Sequence, residues 1–336
     1  MTDQSLPRAY ERAREIDTRE IPVIDLHRLR HGMLRDRAAV ADEIAAACRT
    51  VGFFYITGHG VSQGLIDDAF GQNAAFFALP FEERMKYAAT RDWWRGYVPS
   101  KRQGEGGAVG GTIQTYRLML DLPPDDPDVV MRKPMHLPNR WVDALPGFND
   151  TIRTYMSEME VLSALLRRAF ALGLGLPEEW FDPFYRRPLI QQSLLYYPAP
   201  PSQREEDFRV GAGEHRDTGA FTILMQDDTG GLEVGHLEQE WIAAPPIRGT
   251  YVINIGDMMM RWTNGRFVST LHRVVNRATK DRYSMPYFAN PDYDAIIAPV
   301  PCLVEPGTTN AYPPLHFGQF MDDFYRKGMT YLDETA

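Results

Sequence analysis

Of the eight histidines in this 336-residue chain, His215 alone has an aspartate two residues on, in the string GEHRDTGAFTILMQDD. In an extended strand residues i and i+2 face the same side, so His215 and Asp217 are expected to point together, with Arg216 turned away. A neutral imidazole and a carboxylate on one face supply two ligands to a divalent metal, and a third is needed. The tripeptide alone is a weak signal, since about half an occurrence is expected by chance in a chain of this make-up. His-Arg-Asp also mimics the protein-kinase catalytic loop, but that pattern wants Asn five residues after the Asp, where Thr222 stands, and an Asp-Phe-Gly that the sequence lacks. His236 and Glu238 form a competing pair. They lie between the apolar segments GGLEV and EWIAAP, where a hairpin turn is the simpler reading.

The surroundings strengthen the case. His272 follows Asp217 by fifty-five residues in STLHRVVN, and Arg282-Tyr283-Ser284 stands ten residues further on. Two histidines and one carboxylate on one face of a metal leave positions open, as in non-haem Fe(II) oxygenases, whereas structural zinc is closed by four protein ligands. Arg282 and Ser284 share a strand face by the same period of two, and a guanidinium fork beside a hydroxyl suits a carboxylate. Other strings read as structure. Gly256-Asp257 suggests a turn with Asp257 as N-cap of a short helix. The stretch Gly104 to Gly111 matches neither glycine-rich phosphate-binding pattern and reads as a mobile loop near the site mouth, with an inert surface loop as the alternative. His59 reads as a turn or core histidine, and Cys48 as a small apolar residue on a helix face.

The string H-x-D-x-G-x-x-T-x-L-x-Q-D-x-x-G-G-L-E-V, the distal S-T-x-H-R-V and the R-x-S resemble the Fe(II)/2-oxoglutarate-dependent dioxygenases of the isopenicillin N synthase-like family. IPVIDL, GFFYITGHGV, FFALPFEERMKY, RGYVP, and Asn139 and Trp141 extend the resemblance over about residues 20 to 290. It implies that His215, Asp217 and His272 bind Fe(II), that Arg282 and Ser284 hold the distal carboxylate of 2-oxoglutarate, and that Tyr197 touches the co-substrate near the metal. Many relatives carry Asn two residues before that tyrosine, where this chain has Leu195, and Thr between the first two ligands, where it has Arg216. By family position Tyr97, Tyr116, Arg117, Met258, Met260, Phe288 and Phe317 are candidates to line the substrate pocket. Arg117 would then suit a substrate carboxylate. The implied reaction consumes O₂ and 2-oxoglutarate and oxidises an unactivated C–H bond of a small molecule, by hydroxylation, desaturation or ring closure, in specialised metabolism. Two alternatives remain open at this point: a 2-oxoglutarate-independent oxidase resembling isopenicillin N synthase, and a non-catalytic β-roll used for binding or sensing.

The elements that must position these residues follow from periodicity. Ile21 to Leu26 and Gly52 to Thr57 read as strands. Arg37 to Thr50 carries Val40, Ile44 and Cys48 at the spacing of one buried helix face. Phe76 to Tyr87 reads as a helix divided by Pro80. Asp150 to Leu172 has an apolar stripe from Ile152 to Ala169, with Gly173 as its stop. From about Ile190, short apolar segments separated by Gly, Pro, Asp and Asn suggest an antiparallel sandwich or barrel. The expected fold is mainly β with flanking helices, a double-stranded β-helix (jelly-roll) core. The expected division is an extension at 1–20, an N-terminal region at 21–150, a catalytic core at 151–300, and a segment at 301–336 covering the active site.

Composition excludes other classes. A formal net charge of -9 argues against a broad nucleic-acid surface. Two cysteines far apart give no disulfide framework or zinc ribbon and suggest a reducing compartment. The first thirty residues lack a signal-peptide apolar stretch, and no run of eighteen apolar residues occurs, so no membrane segment and a cytoplasmic location are expected. Oligomeric state is not readable from the sequence.

Overall fold

The structure is a computed structural model that describes residues 13–14, 20–90, 92–100, 113–200, 209–235, 240–304, 307 and 311–328. The Gly104 to Gly111 stretch and the His236/Glu238 pair lie outside the described residues. In chain order the first elements are β1 (Val23–Asp25), α1 (His27–His31), α2 (Leu34–Thr50), β2 (Phe53–Thr57), α3 (Gln63–Ala78), α4 (Phe81–Met85), β3 (Gly96–Val98), β4 (Gln114–Met119), α5 (Pro127–Val130) and α6 (Phe148–Gly173). There follow β5 (Gln191–Tyr197), β6 (Arg209–His215), β7 (Phe221–Gln226), β8 (Leu232–Gly235), β9 (Trp241–Ala243), β10 (Tyr251–Ile255), α7 (Asp257–Trp262), β11 (His272–Asn276), β12 (Arg282–Ala289), β13 (Ile296–Ile297), β14 (Leu315–His316) and α8 (Phe317–Gly328).

The helices form where apolar side chains recur on one face. Val40, Ile44 and Cys48 of α2 are all buried, as are Ile152, Tyr155, Met156, Met159, Leu162, Leu166 and Ala169 of α6. Pro80 separates α3 from α4, since it has no N–H to continue the ladder. The start of α3 is earlier than expected: Ser62 accepts a hydrogen bond from the Leu65 N–H at 3.2 Å and caps it. Gly173 is the last residue of α6 and not the expected stop; the left-handed turn falls at Gly175, with φ +74°. Gly173 serves close approach instead, because a Cβ there would lie 2.5 Å from the Ala41 carbonyl oxygen of α2.

The expected jelly roll does not form. Among the described residues 34% are helical and 25% are strand, and the sheets are open and uncurled, so the fold is mixed α/β with no closed barrel. The large sheet has the order β1-β2-β10-β7-β12-β5-β4-β3 and the smaller one β6-β11-β8-β9, while β13 and β14 pair separately. The strands expected at 21–26 and 52–57 form as β1 and β2, but together with β3 and β4, which periodicity did not reveal, they widen the large sheet to eight strands. Its outer face is covered by α2, α3 and α6, which with it enclose one hydrophobic core. A second core lies between the sheets, with Phe53, Tyr55, Leu195, Tyr197 and Val252 from the large sheet against Leu232, Val234 and Val274 from the small one. Among the described residues, no helix is long and apolar enough to cross a membrane.

Candidate active site

The three metal-ligand candidates come from the rim of the small sheet. His215 ends β6 and is the direct cross-strand partner of His272, which opens β11. Asp217 lies just past the strand and not on it, so the i, i+2 argument placed it correctly for the wrong reason. Its loop is tied to α7, with the Asp257 N–H donating to the Asp217 carbonyl at 2.8 Å and the Met258 N–H to that of Gly219 at 2.9 Å. The α7 N-cap is Gly256, and Asp257 is the first helical residue instead of the cap expected of it.

The ligand atoms of His215, Asp217 and His272 all lie within 4.8 Å of one another. Both Nε2 atoms face Asp217 Oδ1, at 3.8 Å for His215 and 3.7 Å for His272. His215 Nδ1 is 2.7 Å from the Gly213 carbonyl and His272 Nδ1 is 3.2 Å from that of Thr270. A carbonyl only accepts, so Nδ1 carries the proton in each ring and Nε2 keeps its lone pair for a metal. Asp217 Oδ2 accepts from Asn254 Nδ2 at 2.7 Å and from the Thr222 hydroxyl, which leaves Oδ1 free to ligate. Burial by itself would raise the Asp217 carboxyl; His272, His215 and these two donors overcome it and hold the group below the usual carboxylate range. Burial dominates at His272 and lowers it, which favours the neutral ring a metal requires. The His215 side chain is 42% exposed, so the site opens on that side. Two imidazole nitrogens and one carboxylate oxygen with an open side fit Fe(II).

On the same inner face of the large sheet, Arg282 of β12 is fully buried. Its Nε donates to the Gly230 carbonyl at 2.6 Å, Nη1 to Ser284 Oγ at 3.1 Å and Nη2 to Gln226 Oε1 at 3.3 Å. Tyr197 lies directly opposite on β5, its ring centroid 4.7 Å from the guanidinium carbon. Burial raises the Tyr197 phenol, so its hydroxyl stays protonated. Among the described residues no carboxylate pairs with Arg282, and a buried cation without a counter-charge costs several kcal/mol. An anionic ligand removes that cost, and the distal carboxylate of 2-oxoglutarate fits the guanidinium, the Ser284 hydroxyl and the enclosed setting.

Comparison with known proteins agrees with this chemistry. Residues 21–144 match the family described as non-haem dioxygenase in morphine synthesis N-terminal, and residues 189–291 match the 2OG-Fe(II) oxygenase superfamily. A 1-aminocyclopropane-1-carboxylate oxidase of Dictyostelium discoideum is 33% identical over 320 residues, covering 85% of this chain and 86% of its own. The chain belongs to the 2OG-Fe(II) oxygenase superfamily. A homoarginine-6-hydroxylase of Oryza sativa is 34% identical to this oxygenase over 328 residues, covering 91% of this chain and 96% of its own. A full-length Neurospora crassa protein crystallised in complex with α-ketoglutarate superposes with a TM-score of 0.82 at 29% identity and covers 90% of this chain and 95% of its own. The protein is thus an oxidoreductase, an Fe(II)- and 2-oxoglutarate-dependent dioxygenase acting on a small molecule.

The substrate candidates divide between the two faces of the large sheet in this oxygenase. Phe288 sits on β12 between Thr222 and Gln191, on the inner face, and Arg117 is opposite Ser193 on that same face. Tyr97 and Tyr116 point the other way, into the helix-covered core, where their hydroxyls donate to Gln114 Oε1 at 2.6 Å and to the Arg140 carbonyl. Met258 and Phe317 are buried in that core as well, and Met260 is half-buried on α7. Sequence reasoning missed Thr222, Asn254 and Gln226, which orient the site's charged groups. The available signal was a polar residue at an inward position of an otherwise apolar strand, as in YVINI and FTILMQ. Of the 301–336 segment it singled out Phe317 but not Met321 and Tyr325 of α8, which make the contacts to the sheet: the Thr218 hydroxyl is 3.9 Å from Met321 Sδ, and the Tyr325 hydroxyl donates to Gln191 Oε1.

Proposed function

We propose that His215, Asp217 and His272 hold the iron, that Arg282, Ser284 and Tyr197 bind 2-oxoglutarate, and that the oxygenase hydroxylates a small polar molecule entering between Phe288 and α8. The observation that carries the reading is the buried Arg282 guanidinium, without a carboxylate partner among the described residues, on the same inner face as Thr222 and Asn254 behind Asp217. Bound iron and 2-oxoglutarate supply the oxygen chemistry, in which O₂ and 2-oxoglutarate are consumed, succinate and CO₂ are released and a C–H bond is oxidised.

The chain supplies position and charge. Gly213 and Thr270 fix the two rings with Nε2 turned inward. Thr222 and Asn254 hold one carboxylate oxygen so that the other faces the metal. Arg282 and Ser284 orient the co-substrate's far end, and Tyr197 covers the guanidinium face and excludes water. The homoarginine-6-hydroxylase and the 1-aminocyclopropane-1-carboxylate oxidase, both named for amino acids, support a small polar molecule as substrate, and the first supports hydroxylation as the outcome.

Succinate release tests the reading. Wild-type protein with Fe(II), O₂ and 2-oxoglutarate is expected to form succinate, and Asp217→Ala to form none and to lose iron from the purified protein. Substrate oxidation without succinate would instead establish a 2-oxoglutarate-independent oxidase.

A further inference from the structure

Arg117 is a second inner-face arginine for which no carboxylate partner is found among the described residues. It stands opposite Ser193, and the unbroken register through β4, β5, β12 and β7 puts it on the same face as Arg282, Ser284 and Thr222. Its Nη1 donates to the Trp94 carbonyl at 3.2 Å, its guanidinium carbon lies 4.9 Å from the Tyr325 ring centroid on α8, and its Nε is buried with no hydrogen-bond partner. Beside it the Tyr325 hydroxyl donates to Gln191 Oε1, and Gln191 Nε2 donates to Ser193 Oγ at 2.9 Å. A polar strip therefore runs along an apolar sheet from Phe288 toward Arg117, under the roof formed by α8.

Strands lie about 4.8 Å apart and residues along them about 3.4 Å, so Arg117 Cα is roughly 16 Å from Thr222 Cα, which stands behind Asp217. That is the span of a small metabolite with one end at the metal. In the proposed site Arg282 is neutralised by the co-substrate and Asp217 by the metal, whereas the Arg117 charge remains for the substrate. Resting on that reading, we infer that Arg117 selects substrates bearing a carboxylate, which it binds together with Ser193 while Tyr325 holds the guanidinium in place.

The probe is a panel of amino acids and arylacetic acids, each paired with its primary amide, against anaerobic protein loaded with Fe(II) and 2-oxoglutarate. Expected are larger melting shifts with acids than with the matching amides, at least tenfold weaker acid binding in Arg117→Gln with amide binding changed less than threefold, and partial recovery in Arg117→Lys. A panel in which no acid binds the wild type, amides that bind as well as their acids, or an acid preference retained in Arg117→Gln would overturn the inference. The wild-type comparison needs no variant to fold. Failure of the underlying reading shows separately, as absence of succinate from aerobic wild-type protein with every compound.

Discussion

Arg282 and Tyr197 face each other across β12 and β5, and the guanidinium carbon stacks 4.7 Å from the centre of the tyrosine ring. Stacking uses the flat face of the guanidinium and leaves its edge for hydrogen bonds, a division of labour that an ammonium cannot reproduce.

Arg282→Lys is therefore expected to behave nearly as badly as Arg282→Ala. Losing a charge-assisted hydrogen bond costs about 1.5–3 kcal/mol, so half-saturating 2-oxoglutarate should rise about 10- to 150-fold. Titration of succinate formation against 2-oxoglutarate measures it, and an unchanged curve would remove Arg282 from the co-substrate site.

Thr222→Val keeps the shape of the side chain and deletes one of the two donors to Asp217 Oδ2. Loss of such a supporting hydrogen bond typically lowers metal affinity about 10- to 100-fold. Calorimetric titration with Co(II), as an oxidation-resistant stand-in for Fe(II), reads this without turnover; an affinity equal to wild type would show that Asn254 suffices.

At Gly173 two effects compete. Alanine in a helix is favoured over glycine by about 1 kcal/mol. Its Cβ, however, would sit 2.5 Å from the Ala41 backbone oxygen and 2.7 Å from Ala45 Cβ, so α2 and α6 must separate. Overpacking of this kind costs about 1–3 kcal/mol, and Gly173→Ala is expected to lower stability to chemical denaturation. A stabilised variant would mean that the two helices part freely.

His136 is buried, and burial lowers it below its ordinary value, against the favourable pull of the Pro134 carbonyl 2.7 Å away. Because the folded pKa lies below the unfolded one, the unfolded chain takes up the proton first as pH falls. Stability is fully present above about pH 6.5 and declines below it. His136→Asn, which keeps a donor for Pro134, should flatten that decline in melts at pH 7.5 and 5.5. His59 and His272 are also lowered by burial and act in the same direction, so the slope should shrink without vanishing.

The site was more legible in the sequence than the frame that carries it. His215, Asp217, His272, Arg282 and Ser284 are residue types whose chemistry is specific and whose spacing is short or strand-like, so they announced themselves. Of the elements, α2 and α6 were readable because 3.6-residue periodicity over many turns is hard to mistake. β3 and β4 were not, since GYV and QTYRLM are short, mixed in polarity and completed only by partners such as β5, far along the chain. The same non-locality hid Asn254 and Tyr325, whose roles depend on Asp217 and Gln191.

His215 and His272 are paired one-to-one across β6 and β11, and neighbouring Arg273 points to the opposite face, where it meets Glu233 at 2.7 Å and Glu214 at 3.3 Å. A slip of one residue would turn His272 outward and carry Arg273 into the iron site. An ion held by these ligands would therefore favour the correctly aligned small sheet, and metal content would report on assembly as well as on activity.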